Sequence, residues 1–86
     1  MPRISQFYGM SIYMYYQDHA PPHFHAIYGE FEAVIDIRDS SLVEGELPKR
    51  ALKLVTEWAR LHRAELLENW RLARASEPLE KVEPLQ

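Results

Sequence analysis

The chain has 86 residues, 47% of them hydrophobic and 27% charged, which describes one globular domain with a small core, too short for a second domain and too apolar for a disordered chain. A formal net charge of -3 argues against indiscriminate binding to nucleic acid, because the non-specific part of such binding rests on Lys and Arg neutralising phosphates. Cysteine is absent, so there is no disulfide framework, no thiolate metal site and no cysteine nucleophile, and any metal must be held by His, Asp or Glu. The opening "MPRISQFYGM" has no apolar signal core and no stretch approaches the length of a membrane span, so a cytoplasmic protein without a membrane partner is expected.

Residues 3–8 ("RISQFY") and 10–17 ("MSIYMYYQ") are rich in β-branched and aromatic side chains and flank Gly9, which reads as two strands, the second apolar on both faces. The segment from Asp18 to Pro22 is punctuation, since proline lacks the donor a ladder needs and biases its predecessor to extended geometry. "HFHAIY" (23–28) and "FEAVIDIR" (31–38) then flank Gly29-Glu30, a Gly-X pair suited to a two-residue hairpin turn. That turn sets Tyr28 against Phe31, Ala26 against Ala33, Phe24 against Ile35 and His23 against Asp36. Alternation then puts Phe24, Ala26, Tyr28, Phe31, Ala33, Ile35 and Ile37 on a core face, and His23, His25, Ile27, Glu32, Val34, Asp36 and Arg38 on the other. A one-residue slip would exchange the faces. After a turn at "RDSS", Leu42-Val43 suggests one further edge strand.

From Pro48 to about Ala75 the period becomes helical, with Ala51, Leu54, Val55, Trp58, Leu61, His62, Leu66, Trp70 and Ala73 among the residues on one half of the wheel and Leu67 on the polar side. One long amphipathic helix laid across the core face is expected, with its basic residues, interleaved with Glu57, Glu65 and Glu68, forming a solvated face. Residues 1–76 form the single α+β domain, a small antiparallel sheet of four or five strands against this C-terminal helix. Residues 77–86 ("EPLEKVEPLQ") read as an extended tail.

Three of four histidines fall in "DHAPPHFHA" (18–26). His23-Phe24-His25 on a strand points both imidazoles the same way, a geometry suited to zinc or another borderline divalent metal. Asp36, across from His23, is the candidate third ligand or an orienting carboxylate, and Asp18 or His19 is placed to close the site from the loop. The competing reading is a His/Asp pair on a half-exposed sheet face, with Pro21-Pro22 as a structural turn. His62 has Glu65 and Asn69 three and seven residues on, which makes either a small polar helix site or a core histidine satisfied by Glu65 or a backbone carbonyl. A four-ligand site that includes His62 is not expected, because the helix and His23/His25 lie on opposite faces. The tyrosines at 13, 15 and 16 could stack bases, but few basic residues accompany them. Phosphate loops, nucleophile elbows and spaced carboxylate pairs are lacking.

"ISQFYGM", "MYYQDHAPPHFHA", "AVIDI" and "GELPKRALKLVTEWARLHRAELLENW" together resemble, over nearly all of the chain, the prokaryotic family known as domain of unknown function 4160. The resemblance brings no catalytic residues to carry over. Its closest approach to a transferable site is the hallmark represented here by His19, Pro21, Pro22, His23, Phe24 and His25. It implies a partner, since members are often encoded beside another small protein in pairs suggestive of toxin–antitoxin or regulatory modules. The expected function is therefore an interaction or regulatory module that works with another small protein, or with a second copy of itself, because strand 10–17 has two apolar faces and one helix covers only one. The tail, through Leu79, Val82 and Leu85, is the other candidate cover. The alternative is a metal-assisted hydrolase or nuclease in which His23, His25 and Asp36 hold a divalent ion that activates water.

Overall fold

The computed structural model describes residues 2–86. Five strands, β1 (Arg3–Phe7), β2 (Met10–Tyr13), β3 (His23–Tyr28), β4 (Phe31–Asp36) and β5 (Leu42–Gly45), form one antiparallel sheet in chain order, followed by helices α1 (Lys49–Leu61) and α2 (Arg63–Arg74). The α+β class and the antiparallel sheet are as expected. At the first hairpin Phe7 pairs with Met10, and Tyr8 and Gly9 between them both take positive φ (47° and 82°), the backbone of a twist-matched two-residue turn. The β3–β4 register is the expected one: Tyr28 faces Phe31, Ala26 faces Ala33, Phe24 faces Ile35 and His23 faces Asp36.

Period 2 along these strands gives the sheet one apolar face. Ile4, Met10, Ile12, Phe24, Ala26, Ala33 and Ile35 are buried there beneath Val55, Trp58, Ala59 and Leu66 of the helices. Trp58 sits over the middle of this layer, edge-on to Phe24 at 5.6 Å between ring centroids. The second strand stops at Tyr13, short of the expected Gln17. Beyond Met14 the chain leaves the sheet for α2, and the Gln17 amide donates to the Ala73 carbonyl.

The expected single helix is two helices. A straight helix from Lys49 to Arg74 would run about 40 Å at 1.5 Å per residue, longer than the 33 Å greatest extent of the molecule. The chain breaks at His62 (φ -116°, ψ 27°), whose amide still donates to the Trp58 carbonyl and whose carbonyl accepts from the Leu66 amide. Arg63, just past the corner, donates from Nε to the Ile37 carbonyl and ties the break to the end of β4. The change of direction expels Leu61, placed on the apolar half by the wheel, to 67% exposure, while Leu67 is exposed as expected.

Residues 77–86 have no helix or strand, yet they are docked. The Val82 amide donates to the Ile4 carbonyl at 2.8 Å and its side chain is buried, with Leu79 and Leu85 packed against the same core. The Trp58 indole donates to the Glu83 carbonyl at 2.7 Å. The tail therefore covers the core beside β1 and does not cover the other face of the sheet. Of that second face, Tyr13, Tyr15, Ile27 and Val34 are half-buried and Val43 is exposed.

Candidate metal centre

β3 begins at the far end of the Asp18–Pro22 connection, and its alternation carries His23 and His25 onto the face away from α1. The two rings lie 5.2 Å apart. The connection folds back so that Oδ2 of Asp18 lies 2.8 Å from Nε2 of His23 and 3.4 Å from Nε2 of His25. One ligand atom from each of the three residues lies within 4.8 Å of the others. Around a tetrahedral cation with bonds of about 2.0–2.1 Å, neighbouring ligand atoms are about 3.3 Å apart. The two separations from Asp18 Oδ2 bracket that spacing.

The outer nitrogens are held as well. Nδ1 of His23 donates to the Pro21 carbonyl at 2.7 Å, and Nδ1 of His25 lies 3.3 Å from Oε2 of Glu32, its diagonal neighbour on β4. Fixing Nδ1 on an acceptor while Nε2 faces inward is the arrangement that orients metal-binding imidazoles. It also poses a stoichiometric question at His23. Both its nitrogens face oxygens that only accept, and a neutral ring has one N–H. With that N–H on Nδ1, the Nε2 lone pair is turned to Asp18, where a cation beside the pair would be shared by both.

Burial pushes the Asp18 carboxyl upward, but the His19 backbone N–H, the hydrogen bonds with His23 and His25, and the charge of His23 together hold it below the ordinary aspartate value. An ionised carboxylate is the form a cation requires. Tyr15 packs its ring on His25 at 4.2 Å. Burial raises its hydroxyl pKa, and the charges of Glu32 and Asp18 add to that.

The cluster opens onto a recess of about 190 Å³ walled by Pro21, Val34, Val43 and Glu44, with His19 at its rim. His19 is close to the pair, its ring 5.4 Å from that of His23. Asp36 differs from the expected role. It opposes His23 in register, but Oδ1 accepts from the Arg38 amide and Nε, and Oδ2 accepts from the Arg38 guanidinium at 2.8 Å. Its carboxylate is consumed by the turn that ends β4, and the carboxylate between the imidazoles is that of Asp18.

His62 and Glu65 do meet, at 2.7 Å, with the imidazole against Trp58. Asn69 does not join them. Fully buried, it donates to the Glu80 carbonyl and accepts from the Glu80 amide, both at 2.8 Å, and so clamps the tail. Sequence reasoning missed Trp70, because a continuous helix on one face cannot reach an imidazole on the other. After the break at His62, α2 runs past the sheet's end, Trp70 packs on His23 at 5.2 Å, and His23 is buried. Arg74 lies over Trp70 and donates to the Asp18 carbonyl at 3.2 Å, pinning the loop from behind.

The family model described as Domain of unknown function (DUF4160) matches residues 9–71, which span the whole cluster. The chain belongs to that family. No curated protein and no solved structure matches it. Among the described residues, no helix is long and apolar enough to cross a membrane.

Proposed function

We propose that the protein binds one divalent first-row cation at Asp18, His23 and His25, and that this site is the working centre of the domain. The convergence of two Nε2 atoms on one Asp18 oxygen, with both Nδ1 atoms held from outside, carries the reading. Zinc suits a set of two imidazoles and a carboxylate. A cation on three protein ligands with a position free toward the recess would supply a polarised water, the chemistry of the hydrolase or nuclease reading. Calorimetric titration of tag-free protein with zinc tests the site: one equivalent bound, and none in His23→Ala or His25→Ala, with His62→Ala unchanged. Failure to take up zinc, manganese or nickel would overturn it.

The second reading, an interaction or regulatory module acting on another small protein or on a second copy, rests on the sheet face that the tail leaves uncovered, where Tyr13, Tyr15, Ile27 and Val34 are half-buried rather than polar. Light scattering separates its two partners. A dimer of the pure chain favours the second copy, and a monomer favours a different protein.

A further inference from the structure

We infer that His19 is a fourth ligand, closing the cation's shell to three imidazoles and one carboxylate and making the site a clamp rather than a catalyst. This rests on the cation site proposed above.

His19 follows Asp18 directly, and in extended backbone neighbouring side chains would point apart. Here the loop brings them together: Nε2 of His19 lies 3.8 Å from Oδ1 of Asp18, and because the ligand atoms that already converge are those of Asp18, His23 and His25, His19 reaches the cation by a turn of its side chain. The Asp18 carboxylate is thus flanked by imidazoles on both its oxygens, His19 on Oδ1 and His23 and His25 on Oδ2. The His19 side chain is 85% exposed, with an Nδ1 contact of 3.2 Å to the Ala20 carbonyl and its ring 5.4 Å from that of His23, so a turn about its side-chain bonds has solvent to move through. That contact leaves Nε2 as the nitrogen directed at the carboxylate. His19 also lines the recess onto which His23 and His25 open.

The chemistry follows from ligand count. Structural zinc sites have four protein ligands, and catalytic ones keep a position for water. With His19 in place the cation fastens the 18–19 loop to β3, and through the loop to the α2 end where Arg74 and Gln17 are hydrogen-bonded. The cation then adds to the hydrogen bonds that already hold the loop, which suits a clamp better than a hydrolytic centre.

Cobalt(II) reports coordination number in its visible spectrum, with intense bands for four ligands in a tetrahedron and weak ones for five or six. The full chain loaded with one equivalent of cobalt should give intense bands that do not change with pH, whereas in His19→Ala a water takes the fourth place and the bands should shift as that water ionises at about pH 7. The variant's zinc affinity should fall by roughly tenfold or more, the lower end of what disturbing even an outer partner of a metal ligand costs. Because His19 is exposed, this variant keeps its fold, and urea denaturation without metal verifies that. Unchanged affinity and spectrum in His19→Ala would overturn the fourth ligand while leaving the three-residue site standing. No uptake of either metal by the unsubstituted chain would overturn both.

Discussion

The rings of Trp70 and His23 lie 5.2 Å apart, tilted by 52°, so an indole from α2 packs directly on an imidazole of the candidate centre. Copper(II) or nickel(II) bound to His23 should therefore quench tryptophan emission with a one-to-one endpoint. Trp58 sits among Phe7, Phe24 and His62 on the opposite side of the sheet and should contribute little. Fluorescence titration checks this, with Trp70→Phe expected to abolish most of the quenching while cation uptake persists. Equal quenching in Trp70→Phe would place the cation elsewhere.

Asp36 sets an acid limit on stability. The hydrogen bonds from Arg38 outweigh burial and lower its carboxyl below the ordinary value. An unfolded aspartate titrates near about 3.9, so between the folded and unfolded values the unfolded chain binds more protons and stability rises with pH. The contribution is complete above the unfolded value and is lost as pH falls through the lower folded one. In Asp36→Asn that part of the acid limb should flatten, read from urea midpoints between about pH 5 and 2. Asp18, also lowered, should leave a residual slope in the same window.

The tail clamp has its own signature. Asn69→Ala removes both hydrogen bonds to Glu80 and opens space in a buried position. Glu80 is exposed, so water replaces the lost partners, and a cost of about 1–2 kcal/mol is expected. The sharper readout is amide exchange at Val82, whose N–H is bonded to the Ile4 carbonyl. Its protection should fall more than that of β3 amides, because release of the tail is a local opening. Equal loss of protection at both places would mean that tail and sheet open as one unit.

The hairpin was legible because a Gly-X turn between two alternating runs fixes register locally, and the faces followed to the residue. The break at His62 was not. Neither Gly nor Pro marks it, and the helical period continues through "ARLHRAELL", so no local signal announces the break. A straight helix puts Leu61 inside and keeps His23 apart from the helices, and the break reverses both. Asp36 departs from its expected role for a different reason. Cross-strand pairing predicts which Cα atoms oppose but not which side chain captures a carboxylate, and Arg38, two residues on, lies nearer than any imidazole. Asp18 is legible as a residue that could close the site from the loop, but not as the carboxylate between the imidazoles, since no period constrains a connection that contains two prolines.

The two histidines and the phenylalanine between them should separate folding from cation binding. Phe24 is fully buried against Trp58, so Phe24→Ala should cost about 3–5 kcal/mol by loss of packing while its remaining folded fraction still takes up zinc. His25 is half-buried, and His25→Ala should lower stability by only about 1 kcal/mol but remove the zinc-dependent rise in melting temperature. His23 does both. Its ring is buried, packs on Trp70 and satisfies the Pro21 carbonyl, so His23→Ala should cost roughly 2–3 kcal/mol even without metal and lose the zinc response too. Paired thermal melts with zinc and with chelator measure both quantities on each variant. A zinc response that survives in His25→Ala, or one that disappears in Phe24→Ala at temperatures where the variant is folded, would break the assignment of ligand and core to alternate residues of β3.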